Sequence, residues 1–202
     1  MTSTTTGTTA VRAEERRARA RVPLDEPRGV LGRLLAWYAQ RTYGDVPDNG
    51  LALLHHKPVL RALLGFERRL DKWDRLDPDL KMLAQTGSAA AIGCSWCLDF
   101  GYFAAHSKGL RVDKLKEVPR WRESVVFTPV ERRVLEYAEA MTATPPSVTD
   151  AMADALRADL GVAGFLELTM MVAVENERSR FNSALGLTSQ GCKDFCGVPG
   201  RA

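Results

Sequence analysis

Apolar side chains recur at spacings of three and four along most of this chain, the period of an α-helix that hides one face. Leu31, Leu34, Leu35 and Tyr38 form the first such run, which breaks at Gly44–Pro47. Leu51, Leu53 and Leu54 predict a short helix stopped near Pro58, and Val59, Leu63, Phe66 and Leu70 share a face beyond it. Asp77–Pro78 is a helix start: the carboxylate accepts orphan amide hydrogens, and proline fits the first helical position. The segment from Leu80 to Ile92 is apolar and alanine-rich, as suits a helix deep in a core. Gly93 interrupts it, and a further helix is expected from Cys94 to about Lys108, ended by Gly109.

Thr128-Pro129-Val130-Glu131 has the form of a capping box, with Val130, Val134, Leu135, Ala138 and Met141 on one face of the helix it opens. Pro145–Pro146 ends that helix. Ser147 or Thr149 begins the next, Gly161 closes it, and a last long helix should run from about Ala163 to Leu185. Runs of alternating β-branched residues are scarce and no sheet is expected. The pattern predicts an all-α, compact helical bundle.

Composition narrows the function. At 202 residues the chain fits one domain, here residues 23–202, and 45% hydrophobic content is normal for a globular core. The net charge of +3 resides in residues 1–22, where five arginines face two glutamates. This segment reads as a disordered basic tail, and the remainder is balanced. A neutral body argues against nucleic-acid binding, which needs a basic surface to displace counterions. No stretch is long and apolar enough to span or anchor in a membrane, and no secretory signal is evident, so a cytoplasmic location is expected. In a reducing compartment four cysteines point to catalysis, metal binding or packing rather than a structural disulfide framework.

The candidate chemistry lies in Gly93-Cys94-Ser95-Trp96-Cys97. A spacing of three on a helix places two sulfurs on nearly one face, close enough to bond after modest adjustment. If Gly93 marks the helix start, both sit in the first turn, where free amides and the dipole favour thiolate. A thiolate attacks peroxides, and a neighbouring cysteine captures the resulting sulfenic acid. The motif also suits half of a zinc site, completed by Cys192 and Cys196 near the C-terminus, or buried thiols that only pack, with redox chemistry favoured over both.

The surrounding residues add to this reading. The run AAAIGCSWCLDFGYFAAHSKGL, the block TPVERRVLEYAEAMTATPP and the late Arg180-Phe181-Asn182-Ser183-Ala184-Leu185-Gly186 resemble, in that order, the alkylhydroperoxidase-D-like, carboxymuconolactone-decarboxylase-type family. The resemblance covers roughly residues 30–190. It implies an all-α fold, a homo-oligomer, and thiol-dependent reduction of a small-molecule peroxide with no cofactor and an unidentified thiol reductant. It also implies that Cys97 attacks and Cys94 resolves.

Members of that family carry a proton relay, a Glu twelve residues before the first cysteine and a His four after the second. This chain has Met82 and Gly101 there, and neither moves a proton. His55, His56, Glu175 and Glu177 are candidate substitutes. Glu175 is expected to pair with Arg178, while Asp99 and His106 face away from Cys97 on their helix. Two contrasting readings stay open: a non-enzymatic oligomer acting in redox sensing or assembly, and lactone decarboxylation, which needs no such dithiol.

Overall fold

The computed structural model describes residues 13–192 apart from 26 and 28, and among these no strand occurs. Helix α1 spans 13–19, followed by α2 (Gly29–Tyr43), α3 (Asp48–Leu53), α4 (Lys57–Leu70), α5 (Pro78–Ile92) and α6 (Ser95–Ser107). A short α7 (Val112–Leu115) and a 3-10 turn (Val118–Arg120) lead to α8 (Pro129–Thr142) and α9 (Asp150–Ala184).

The local signals act as their chemistry requires. Asp77 accepts the amides of Asp79 and Leu80 at 2.9 and 3.2 Å, opening α5. Thr128 and Glu131 close a reciprocal capping box on α8. Glu131 is only 3% exposed, and its carboxylate also takes the Lys114 ammonium at 2.6 Å. Gly161 breaks the helical path inside α9, with φ 70° and ψ 170°, so the expected boundary survives as a kink. One boundary is corrected. The break between α3 and α4 falls at residues 54–56, and Pro58 lies in the first turn of α4 behind the His56 cap. Proline lacks the amide hydrogen that an opening turn leaves unpaired, so it starts this helix rather than stopping the previous one.

Helix α5 is the spine, packed against α6, α8 and α9. Leu83 and Ala84 of α5, Val134, Leu135 and Ala138 of α8, and Leu156, Leu168 and Val172 of α9 form the main core. A methyl group at Gly87 would lie 3.2 Å from a Leu135 methyl, so the bare glycine sets how closely α5 and α8 approach. That approach fixes where α5 ends and hence where the cysteines start.

The reading of residues 1–22 as a solvated tail fails for the described part. Residues 13–19 are helical, and Arg16 is 8% exposed with its Nε 2.6 Å from Asp48. Asp48 is wholly buried, and a buried carboxylate needs a cation. That need, not the composition of the segment, holds this part of the chain down. Residues 1–12 lie outside the described residues.

Candidate active site

Gly93 adopts the left-handed conformation (φ 79°, ψ 26°) that a side chain disfavours, and it ends α5. The chain reverses, Cys94 becomes the N-cap of α6, and Cys97 falls in its first turn. The Cys94 sulfur accepts the Cys97 amide at 3.2 Å, as a serine oxygen does at other helix starts. The Cα atoms are 5.3 Å apart and the two sulfurs are joined as a disulfide. Placement at a helix N-terminus stabilises negative charge on sulfur by about 0.3–1 kcal/mol, more when partly buried.

The pair is buried: Cys94 is 2% and Cys97 9% exposed. They sit in a second apolar cluster with Leu24, Leu51, Ala89, Trp96 and Leu187. Trp96 stacks on Phe100 with ring centroids 5.0 Å apart. The lining is not pure hydrocarbon, however. From α9, Asn182 (2% exposed) points its Nδ2 at the Cys97 sulfur, 3.4 Å away, while its Oδ1 is buried with no partner among the described residues. Asn182 belongs to the Arg-Phe-Asn block that the sequence reading singled out without giving the asparagine a role.

Two chain segments share this cluster with the dithiol. Residues 20–24 contribute Ala20, Val22 and Leu24, and residues 185–187 contribute Leu185 and Leu187. The Arg21 amide donates to the Leu185 carbonyl at 2.9 Å, binding one segment to the other. Beyond them the chain crosses α6. Asp99 Oδ2 accepts from the backbone amides of Gln190, Gly191 and Cys192 at 2.9, 2.7 and 3.0 Å and from the Ser189 hydroxyl at 2.9 Å. The Gln190 side chain accepts from the Trp96 indole at 2.9 Å and from the Asp48 amide at 2.8 Å. Asp99 thus faces away from Cys97, as its spacing predicts, and anchors residues 189–192 instead.

The candidate relay residues divide. His55 (2.7 Å to the Pro23 carbonyl) and His56 (the α4 cap) are exposed, as are His106 and Glu177. Glu175 is buried and makes the expected contact with Arg178 at 3.4 Å, while Ser179 donates to its other oxygen at 2.8 Å. Burial outweighs the Arg178 charge and pushes the Glu175 carboxyl up to about 7. Met82 lines a small space with Asp79, Arg111 and Glu131, whereas a side chain at Gly101 would meet nothing within 4 Å. Cys192 is 5% exposed, and burial, followed by the Asp99 and Asp45 charges, pushes its thiol up to about 12. Cys196 lies outside the described residues, and among the described ones no three metal-ligating side chains converge.

Similarity to known proteins places this geometry in context. The family model described as the carboxymuconolactone decarboxylase family matches residues 57–140. The uncharacterized protein YnjA of Escherichia coli (strain K12) is 32% identical over 169 residues, 81% of this chain and 89% of that protein. Among solved structures, a cysteine-to-alanine variant of the debrominase Bmp8 in complex with 2,3,4-tribromopyrrole superposes with a TM-score of 0.73 at 16% identity, covering 88% of this chain and 97% of that one. The alkylhydroperoxidase AhpD core of a peroxidase-related protein from Ralstonia eutropha JMP134 gives 0.67 at 20% identity, covering 90% and 98%.

Proposed function

This chain belongs to the carboxymuconolactone decarboxylase family, and we propose that it is a dithiol peroxide reductase in which Cys97 attacks and Cys94 resolves. The observation that carries this reading is the asymmetry of the pair. Cys97 is the less buried residue, and its sulfur alone has the Asn182 amide beside it. An N–H aimed at sulfur favours the thiolate, the attacking species. Cys94 sits at the cap, within bonding reach and nearly sealed, as suits the sulfur that meets only its neighbour.

In the forward step the Cys97 thiolate takes the terminal peroxide oxygen, the O–O bond breaks, and the alcohol leaves with a proton. Cys94 then displaces hydroxide from the sulfenic acid, giving disulfide and water. A small thiol or dithiol reductant restores the pair, and neither metal nor cofactor enters. Because both cysteines are buried, substrate entry needs a neighbouring segment to shift, and residues 20–24 and 185–187, which share their apolar cluster, are the candidates. Reduced protein given one equivalent of cumene hydroperoxide should lose two thiols and change its Trp96 fluorescence. If the Cys97→Ser variant reacts as fast as wild type, the assignment is wrong.

The aromatic wall of Trp96 and Phe100 supports a second reading, reductive dehalogenation of a small aromatic. There two thiols and an aryl bromide give arene, disulfide and hydrogen bromide, and a brominated pyrrole replaces the peroxide in the same thiol assay. We further propose that the chain works as a homo-oligomer of identical copies. Val30, Leu34, Trp37 and Tyr38 leave an apolar face of α2 at 58–77% exposure, and Val162 and Leu166 do the same on α9. Contiguous apolar surface of this kind marks an interface. Sedimentation at a single-chain mass across micromolar concentrations would refute it.

A further inference from the structure

A dithiol cycle moves a proton as well as electrons. Cys97 must shed one before it attacks, and the departing alkoxide must gain one. Near the sulfurs, Asp99 is committed to the 189–192 segment. The buried polar residues of α9 lie differently. Glu175, Ser179 and Asn182 stand at i, i+4 and i+7, one stripe of the helix, with exposures of 6%, 0% and 2%. The stripe begins at a carboxylate and ends at the Cys97 sulfur.

We infer that Glu175 is the proton reservoir of the dithiol, acting through Ser179, while Asn182 holds the Cys97 sulfur at the far end of the same stripe. This rests on the dithiol reading above and names a group for its acid–base step. Ser179 spends its hydroxyl hydrogen on Glu175 Oε1 at 2.8 Å, and its oxygen keeps acceptor capacity for a proton. The Asn182 Oδ1, unpartnered among the described residues, offers a second acceptor beside the thiol. Glu175 takes the Cys97 proton as the thiolate forms and returns it to the alkoxide as the O–O bond breaks. The proton of Cys94 leaves with hydroxide as water, so two thiols and one hydroperoxide give disulfide, alcohol and water.

The charges that bear on Glu175 are Arg178, 3.4 Å away on α9, and Glu67 of α4, which binds Arg178 at 2.8 Å from the other side. No ion pair reaches it from α5, α6 or α8 among the described residues. Arg178, divided between two carboxylates, leaves Glu175 incompletely compensated, in keeping with a carboxyl raised to about 7. A group half-protonated near neutrality both takes and gives a proton efficiently.

The inference is tested on the full chain, reduced and freed of reductant. The rate of Cys97 alkylation by iodoacetamide is followed by mass from pH 5 to 9, and oxidation by cumene hydroperoxide is timed in parallel. Wild type should show two inflections in the alkylation profile, the lower one contributed by Glu175, since coupled groups titrate in two steps. Glu175→Gln should leave one inflection and slow peroxide oxidation roughly 10²-fold. Ser179→Ala should keep both inflections and slow oxidation about tenfold. A folded Glu175→Gln protein with the wild-type profile and rate overturns the inference. Should that variant not fold, a Ser179→Ala protein oxidised at the wild-type rate overturns it. Wild type inert to the peroxide, with the lower inflection still lost in Glu175→Gln, sinks the peroxide reading and leaves the reservoir standing.

Discussion

Asn182 and Cys97, 85 residues apart in the chain, meet inside the protein with amide nitrogen and sulfur 3.4 Å apart. The contact joins the last long helix to the first turn of α6, and it is the one polar side-chain bond that reaches a sulfur of the pair among the described residues. An N–H beside a buried sulfur matters most when the sulfur is charged, because little water is there to replace it.

Removing that amide should therefore raise the pKa of Cys97. A hydrogen bond to a charged group is worth about 1.5–3 kcal/mol, or roughly one to two pKa units. Asn182→Leu in the reduced protein should shift thiolate absorbance near 240 nm to higher pH by that amount and slow alkylation at neutral pH about tenfold or more. An unshifted titration would show that the amide only packs.

Asp99 gathers four donors from residues 189–192 onto one oxygen. Asp99→Ala should release this segment, costing about 2–4 kcal/mol as buried donors lose a charged partner. Two effects follow besides the loss of stability. Cys192, whose thiol is held far up by burial and by this carboxylate, should go from inert to alkylatable at pH 8. Cys97 in the reduced protein should also react faster, because that segment has loosened. Unchanged modification of both by mass spectrometry would mean that the segment does not gate the site.

Stability should carry the mark of Glu175. Its carboxyl is raised from 4.5 to about 7 in the folded protein, so the folded state favours the protonated form. That contribution is complete below about pH 4.5 and is lost as pH rises through 7. The melting temperature of Glu175→Gln should thus gain on wild type between pH 5 and pH 8, by the equivalent of about 2–3 kcal/mol at most. A pH-independent difference would place the folded pKa near its ordinary value.

Arg16 is the cation for the buried Asp48, at 2.6 Å, and it also reaches Asp45 at 3.0 Å. Arg16→Met should cost about 3–5 kcal/mol in chemical denaturation, since it strands a buried carboxylate. Adding Asp48→Asn should recover most of the loss. No recovery in the double variant would mean that Arg16 contributes packing rather than charge.

What the sequence determined by itself is what short-range rules govern. The Asp77 cap, the Thr128–Glu131 box, the breaks at Gly93 and Gly161 and the all-α architecture follow from hydrogen-bonding options and backbone freedom within a few residues. The cysteine pair at a helix start is of the same kind, and so is the Glu175–Arg178 contact, three residues apart on one face. Tertiary structure decided the rest. Asn182 beside Cys97, Asp99 on residues 189–192 and Arg16 on Asp48 join residues 32 to 93 positions apart. No periodicity encodes such partners, because they depend on how α5, α6 and α9 cross and on which polar groups that crossing buries. The same packing buried the cysteine pair, which its spacing alone left open. A helix face reveals that it is apolar, but not whether another segment of chain will lie across it.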